Sequence, residues 1–468
     1  MNTKARKLLN IIRRYAGPAI LATASVLLLT TPHPYLAVLP GLAVLALLWF
    51  GRRDMIPYLF YCIVLLIPFG AFRGVGPVRF HWLFAGTLAL LVLLEILIRK
   101  KIPNKVRRNR LLLLLLIFYL VNVLAAMGSK FPGRSTPFMV LLASGFLLVV
   151  LGIIVTDRKG FSKILPGVIV GSVFASSFLA LLGATLHLTL FVSSDAGRVL
   201  GGTSDPNNLA LMVIFSIPLA VYFFMTARRR RMQLFLLLII LVNVVTVMAT
   251  LSRGGAIVLC FAGLLILWEL RSRITPRNLG LLLGLGGLAV VALLLLTPEA
   301  YSQRLQSIQT ADDFSMRRRA SYILVARDLV VERPLLGSGP DTFPLRYKES
   351  EIGRGFRRNE KSGEREAHNT YLEVITGSGI TGLVFFLIIL LYALHSFTRA
   401  RRRFLAFGEY RLALLTTMYR ASFLILLVFF LIFSDQLHKY LLVSLVVSQS
   451  ALWLAATLPE QESNHACR

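Results

Sequence analysis

The chain has 468 residues, 56% of them hydrophobic, and a mean hydropathy of +0.72. This composition excludes an ordinary soluble domain, because apolar runs of about 17–25 residues recur and each can cross a bilayer as a helix. A formal net charge of +29 would suggest nucleic acid for a soluble protein. Here the basic residues lie in short segments between apolar runs, which is typical of membrane topology, so we expect no nucleic-acid partner.

The cysteines and the first apolar run narrow the class of protein further. Cys62 and Cys260 lie inside apolar runs and Cys467 is next to the last residue, so neither a disulfide framework nor a metal cluster is indicated. The first apolar run lacks a convincing cleavage site, and a second run follows at once. We therefore interpret it as a retained span rather than a signal peptide.

The predicted fold class is an all-α polytopic membrane protein with one large helical loop. We predict about fourteen spans, with twelve as the alternative, because the first pair is short and run boundaries are inexact. The predicted spans are 16–31, 35–50, 55–72, 80–98, 111–127, 137–155, 164–186, 207–226, 234–251, 255–270, 279–297, 374–396, 414–434 and 437–456.

The charges between the spans predict the topology. Residues 1–14 are basic and every second connection after them is basic too, which places both termini in the cytoplasm. The polar segment 298–371 then lies on the opposite side. The chain divides into about eleven N-terminal spans in 1–297, the loop 298–371 covering an active site, and about three spans with a short tail in 372–468.

Within that polar segment, apolar residues at helical spacing predict a short amphipathic helix against the membrane domain. They are Tyr322, Val325, Ala326, Leu329 and Val330. Arg318 and Arg319 precede Tyr322 by one helical turn and are expected inward or along the interface. Gly337, Gly339 and Pro340 predict a turn, followed by a variable polar stretch that leads to His368.

Four features fall on the predicted extracytoplasmic side. They are Arg198 with Asp205-Pro206-Asn207, Arg253 in Ser252-Arg253-Gly254-Gly255, the arginine triplet 317–319, and His368 with Asn369, Tyr371 and Glu373. Each also has a structural interpretation. Asp205 to Asn207 is typical of a helix N-cap, Arg253 can extend to the lipid headgroups, and His368 can cap a helix or anchor at the interface. Only one or two of the three adjacent arginines are expected to face a ligand.

Several arginines and one histidine indicate a particular chemistry. Guanidinium groups match phosphate oxygens in bidentate geometry and can stabilise a leaving diphosphate. Histidine, with a pKa near neutral, can deprotonate an incoming hydroxyl. The only pair of adjacent acids on this side, Asp312-Asp313, is typical of a solvated loop. We therefore predict metal-independent catalysis without a cofactor.

These residues together resemble the O-antigen ligase and O-antigen polymerase superfamily of bacterial inner membranes. The resemblance covers roughly residues 197–395. It is carried, in order, by Arg198 with Gly202-Thr203-Ser204-Asp205-Pro206-Asn207, by Ser252-Arg253-Gly254, by Arg319 before Pro334 and Leu336-Gly337-Ser338-Gly339, and by AHNTYLEVITGSGITGL at 367–383.

The resemblance implies a helical bundle in the inner membrane that takes a glycan from undecaprenyl diphosphate on the periplasmic face and joins it to an acceptor hydroxyl. It implies that His368 is the general base. Arg198, Arg253 and Arg319 would hold the diphosphate, with Arg318 or Arg317 as replacements for Arg319. The reaction would be an inverting single displacement. Asn369, Tyr371, Glu373, Asp205 and Asn207 would support the site.

The acceptor divides the superfamily. A ligase uses lipid A–core and a polymerase uses another lipid-linked repeat unit. Ligases usually resemble proteins of about twelve spans, so fourteen weakens that assignment, whereas the loop with its His-Asn motif favours it; we favour ligase. A different class, a lipid-linked oligosaccharide flippase or other transporter, stays open, although such proteins often contain an internal repeat and none is visible here.

Overall fold

The computed structural model describes residues 56–70, 80–100, 103–186, 188, 191–193, 198–272, 280, 314–356 and 364–466. The predicted spans at 16–31 and 35–50 lie outside these residues, and so does the predicted span at 279–297 apart from residue 280. Within them the chain is helical, and its extended pairing is confined to an isolated bridge between Val192 and Val199.

Nine of the described helices are long and apolar enough to cross a membrane. The chain is therefore a multi-pass membrane protein, as the composition predicts. The described α-helices of five residues or more, numbered in chain order, are α1 (Ile56–Leu65), α2 (Phe80–Arg99), α3 (Arg110–Met127), α4 (Pro132–Val155), α5 (Leu165–Thr185), α6 (Pro206–Thr226), α7 (Arg230–Ala249), α8 (Arg253–Leu270), α9 (Phe314–Glu332), α10 (Phe343–Glu349), α11 (Glu351–Gly355), α12 (Thr370–Ala406), α13 (Tyr410–Phe429) and α14 (Lys439–Ala466).

The prediction of a single membrane-crossing helix over residues 55–72 is wrong. Helix α1 has 10 residues and ends at Leu65, and a single 3₁₀ turn, Ile67–Phe69, follows it. Pro68 explains the ending, since proline has no amide hydrogen for the helical ladder and disfavours the helix interior. The Pro68 carbonyl instead accepts a hydrogen bond from Ser176 Oγ of α5 at 3.3 Å.

The centre of the bundle is formed by α6, α13 and α14, whose membrane-spanning parts are mostly buried. Phe215 of α6 stacks on Tyr440 of α14 with 4.5 Å between ring centroids. Close packing of such large rings stabilises the contact between these helices. Burial alone would contribute little in a membrane, because lipid and core are similarly apolar.

The polar segment and the basic connections lie at opposite ends of the bundle. At one end, Arg333, just after α9, donates to the Gly128 carbonyl between α3 and α4. At the other, Lys105 donates to the Thr156 carbonyl at 2.8 Å, and Arg158 pairs with Glu409. We call the first end the loop end. Its assignment to the periplasm stays a prediction.

The predicted amphipathic helix is present as α9. Tyr322, Val325, Ala326 and Leu329 are buried on one face, together with Phe343 and Tyr347 of α10, whereas Val330 is only half-buried. The following polar stretch, predicted to be irregular, contains the short helices α10 and α11. Ser350 ends one and caps the next, because its hydroxyl accepts from Gly353 N at 2.9 Å.

The turn predicted at 337–340 is inserted into a break in α12. Gly379 has a non-helical backbone, φ 67° and ψ −171°, inside that helix. Two carbonyls and two amides released by the break bond to the turn, in four hydrogen bonds: Ser338 N to Thr376 O at 2.8 Å, Gly339 N to Gly377 O at 3.0 Å, Ile380 N to Pro334 O at 2.8 Å and Thr381 N to Leu335 O at 3.4 Å. A broken helix at membrane depth needs such partners, because lipid supplies none.

Gly337→Ala is expected to lower the melting temperature of the detergent-solubilised protein. Gly337 has φ +68°, and a Cβ there would lie 2.6 Å from Gly379 N. The strain and overlap should cost at least about 2 kcal/mol. Gly408→Ala is the control, since Gly408 has φ +70° with nothing within 4 Å of a Cβ. Equal melting temperatures for the two variants would contradict tight docking of the turn into α12.

Candidate active site

The site is built around the first turn of α12, which begins directly after His368. Asn369 is the N-cap, and its Oδ1 accepts from Tyr371 N at 2.9 Å and from Leu372 N at 3.1 Å. His368 itself has φ 49°, in the left-handed region that non-glycine residues rarely adopt. The cap therefore belongs to Asn369, and the structural interpretation of His368 as a helix cap is wrong.

The loop between α13 and α14, residues 430–438, holds this turn in place. Thr370 donates from its amide to Phe430 O at 2.8 Å and from its hydroxyl to Phe433 O at 2.6 Å. Ser434 Oγ accepts from Asn369 N at 3.0 Å and bonds Glu373 Oε1 at 3.2 Å. These bonds fix the backbone on both sides of the His368–Asn369 peptide.

Glu373 and Tyr371 have structural partners. Glu373 is 8% exposed, and its Oε1 accepts from Ala367 N at 2.7 Å, one residue before His368. The Tyr371 hydroxyl donates to Leu427 O of α13 at 2.9 Å. Both side chains thus connect the turn to its surroundings.

Helix α9 packs on the other side of His368. The Tyr322 and His368 rings have their centroids 6.0 Å apart, at an interplanar angle of 45°. Arg318 and Arg319 lie one turn earlier on α9; Arg318 is half-buried, while Arg319 and Arg317 are exposed. Both Arg319 and Arg318 act electrostatically on His368.

The charges around His368 favour its neutral form. Burial lowers the pKa of the imidazole below its ordinary value of 6.5, and the positive charges of Arg319, Arg318 and Arg365 lower it further, whereas Asp205 raises it. A neutral imidazole at pH 7 can accept a proton, which is what a general base requires.

Asp205 begins α6 and performs the capping function that its position predicts. Its Oδ1 accepts from Asn207 N at 2.6 Å and from Asn208 N at 3.2 Å, a cap that stabilises by about 1 kcal/mol. Asp205 also acts electrostatically on His368, so the N-terminus of α6 lies near the histidine.

Arg198 lies at the same N-terminus. Its Nε donates to Thr250 O at 2.9 Å and a terminal nitrogen donates to Asn207 Oδ1 at 3.3 Å. These bonds connect the loop before α6 to the end of α7 and orient the guanidinium. Asn207 is therefore the partner of Arg198.

Arg253 is the first residue of α8, and its side chain is exposed. Ser252 caps this helix, since its Oγ accepts from Gly255 N at 3.0 Å. Gly254 packs against Ile432 of the 430–438 loop. The N-termini of α6, α8 and α12 thus meet at the loop end beside one shared loop.

His438 connects that loop to α6. It is 2% exposed, and its Nδ1 accepts from Tyr440 N at 3.2 Å. The proton therefore lies on Nε2, which donates to Asn208 Oδ1 at 3.1 Å. Burial and then Lys439 lower the pKa of His438 to about 3, so it stays neutral and its role is positional.

Sequence reasoning missed Arg365, Tyr322, His438 and two carboxyl groups, Glu366 and Asp341. Burial raises the pKa of the Glu366 carboxyl, and the negative charges of Asp341 and Asp205 raise it further. The positive charge of Arg134 lowers it. Arg134 is paired with Asp341 at 2.9 Å. Arg365 could have been found from EREAHN, since a basic residue three positions before the candidate base is visible there; the others depend on tertiary contacts.

Replacing His438 should distinguish its two hydrogen bonds. His438→Gln can still donate to Asn208, whereas His438→Asn can reproduce only the bond from Tyr440. Because an unsatisfied buried group costs about 1–3 kcal/mol, we expect the Gln variant to have a higher melting temperature than the Asn variant at similar membrane expression. Equal melting temperatures would mean that the bond to Asn208 does not stabilise the protein.

Residues 237–387 match the O-antigen ligase family, Wzy_C. The matched stretch contains Arg253, Arg318, Arg319 and His368, while Arg198, Asp205 and the 430–438 loop lie outside it. No curated protein matches the chain.

Proposed function

We propose that the chain is an inner-membrane glycosyltransferase acting on undecaprenyl-diphosphate-linked glycan. The match of residues 237–387 to the O-antigen ligase family supports the coarser part of this proposal, a membrane enzyme of O-antigen ligase or polymerase type. The proposed acceptor is the lipid A–core, which makes the protein a ligase. A polymerase that joins lipid-linked repeat units is the second candidate.

The observation that carries the proposal is the position of His368 at the first turn of α12, next to α9 with its arginines, whose positive charges help to lower the pKa of the imidazole. His368 accepts the proton of the acceptor hydroxyl while that oxygen attacks the anomeric carbon of the donor sugar. The bond from the anomeric carbon to the diphosphate oxygen breaks, and the electron pair leaves with undecaprenyl diphosphate. The product has the inverted configuration, and the proton passes from His368 to water.

The guanidinium groups supply the electrostatic part of catalysis. The sequence predicts Arg198, Arg253 and Arg319, or Arg318, for the diphosphate. Arg198 and Arg253 lie at the N-termini of α6 and α8, where the helix dipoles also favour an anion. They stabilise the charge that develops on the leaving diphosphate, and this arrangement needs no metal ion.

The left-handed backbone of His368 also supports a functional role. Such a conformation costs about 1–3 kcal/mol and persists where surrounding structure fixes it, commonly at active sites. The bonds of Asn369, Thr370 and Ser434 provide that fixation. The orientation of the imidazole is thus determined by the backbone conformation of His368 rather than by hydrogen bonds of its side chain.

His368→Gln should lower the rate of glycan transfer at least about 10²-fold, because a general base accelerates a reaction by that factor or more. In a strain lacking the gene, this variant should leave bare lipid A–core with accumulated lipid-linked polymer, and wild type should restore the capped core. His395→Gln is the matched control, since His395 is an exposed residue far along α12. Core carrying one repeat unit in the deletion strain would identify a polymerase instead.

The pH dependence tests which group is the base. Since only neutral His368 is active and its pKa is lowered, the acid limb of the kcat profile should lie below pH 6.5. Arg319→Gln removes a positive charge, so it should raise the pKa of His368 and move the acid limb to higher pH. Asp205→Asn removes a negative charge, so it should lower this pKa and move the limb to lower pH.

The control for this profile is Asp435→Asn. Burial raises the pKa of Asp435 to about 7, and the negative charge of Glu366 adds to this rise. The hydrogen bond from Leu437 N and the positive charge of Lys439 act in the opposite direction. Asp435 therefore titrates close enough to the expected limb to be mistaken for the base. An acid limb that disappears in Asp435→Asn, but does not move in Arg319→Gln, would remove His368 from the role of base.

A further inference from the structure

One carboxyl oxygen is connected to both backbone amides that flank His368. Glu373 Oε1 accepts from Ala367 N at 2.7 Å and is bonded to Ser434 Oγ at 3.2 Å. Ser434 Oγ lies 3.0 Å from Asn369 N. Ala367 and Asn369 directly precede and follow His368, so the whole backbone of the histidine lies between the two points of attachment.

The direction of each hydrogen bond follows from the groups that make it. A backbone amide can only donate, so Asn369 N donates to Ser434 Oγ. The serine hydroxyl has one hydrogen, and it donates this hydrogen to Glu373 Oε1. The three bonds and the backbone of residues 367–369 therefore form one closed ring. We call it the Glu373 ring; its members are Ala367, His368, Asn369, Ser434 and Glu373.

This ring restricts the backbone of His368. The histidine has φ 49°, a conformation that costs free energy and persists only where its surroundings hold it. Relaxation to a negative φ would rotate one flanking amide relative to the other and would break at least one bond of the ring. The same rotation would turn the imidazole away from its place beside Tyr322, 6.0 Å between ring centroids.

Glu373 is placed to hold this backbone rather than to meet a substrate. Its side chain is 8% exposed, and its Oε1 already receives two protein donors. The residue belongs to the first turn of α12, where its amide donates to Asn369 O at 3.1 Å. The carboxyl group is thus anchored in the helix whose start it connects to the 430–438 loop.

We propose that Glu373 is the positioning residue of the general base: its Oε1, acting directly on Ala367 and through Ser434 on Asn369, holds His368 in the left-handed conformation that directs the imidazole to the acceptor hydroxyl. This inference rests on the proposed function. It assigns the effect to a single acceptor oxygen, so the position of that oxygen matters and its negative charge does not.

Glu373→Met should therefore lower kcat at least about tenfold, because displacement of a reacting group by about 1 Å can cost up to about 10²-fold. The donor KM should stay within about twofold, since the diphosphate does not contact this ring. Glu373→Gln keeps an acceptor oxygen and should retain at least about a third of kcat. The measurement is the initial rate of glycoside formation by the full-length protein in nanodiscs, with undecaprenyl-diphosphate-linked glycan and lipid A–core.

Hydrogen–deuterium exchange gives a second readout that needs no turnover. Glu373→Met should speed exchange at both Ala367 N and Asn369 N, and Glu373→Gln should leave both slow. Ser434→Ala, a smaller change for the case that the Met variant does not fold, should speed exchange mainly at Asn369. Ser434→Ala should add little to Glu373→Met, because two changes in one hydrogen-bonded ring are not additive.

Gln449→Met is the matched control for loss of buried hydrogen bonds. Gln449 is 5% exposed in α14, and its Nε2 donates to Ser396 Oγ at 3.2 Å and to Ser448 Oγ at 3.1 Å. The same replacement there should lower the melting temperature of the protein. It should change neither kcat nor exchange at the two amides that flank His368.

Three results would overturn the proposal. They are a kcat within about twofold of wild type in folded Glu373→Met or, if that variant does not fold, unchanged exchange in Ser434→Ala; an equal loss of kcat in Gln449→Met; and a loss in Glu373→Gln as large as in Glu373→Met, which would assign the effect to charge. Failure of the proposed function looks different, because the wild-type chain would then form no glycoside, while exchange at the two amides would still show whether Glu373 holds them.

Discussion

The break in α12 is the constraint on which the loop end depends. A membrane helix that stops at Gly379 exposes backbone amides and carbonyls that lipid cannot satisfy, and the turn 334–340 supplies their partners. The turn follows α9 directly, so its insertion fixes where α9 lies relative to the first turn of α12. Tyr322 and His368 meet because of this backbone connection, not because their side chains bond.

The same end is fixed a second time by the 430–438 loop. One part of the loop bonds the residues around Asn369, and His438 at its end bonds Asn208 of α6. The N-terminus of α6, with Asp205, is therefore held near the histidine by a route independent of α9. A site between elements so distant in sequence needs such cross-connections to keep groups within about half an ångström of a working geometry.

Much of the bundle could be predicted from hydropathy and charge, because spans and basic connections follow directly from the cost of burying polar groups in lipid. Helix α9, its apolar face and the 337–340 turn also follow from local spacing and glycine content. The ending of α1 was not predicted, because a proline near the end of an apolar run does not alter its hydropathy.

The contacts of the site were only partly predictable. Asp205 and Asn369 have cap signatures that are readable locally. By contrast, His438, Ser434 and Tyr322 look like ordinary interior residues in sequence, and their roles depend on which helices meet. Arg318 was expected to point inward or along the interface from its spacing to Tyr322, whereas the electrostatic effect of Arg365 on Tyr322 depends on the return of the chain to α9.

The positive charges near His368 affect how strong a base it is. Burial and then Arg319, Arg318 and Arg365 lower the pKa of the imidazole, which keeps it neutral but also makes it a weaker base. A diphosphate held by Arg319, as the proposed function has it, would offset that positive charge and raise the pKa again. By linkage, His368 becomes more basic when the donor is bound. The arginines would therefore couple the strength of the base to the presence of the donor.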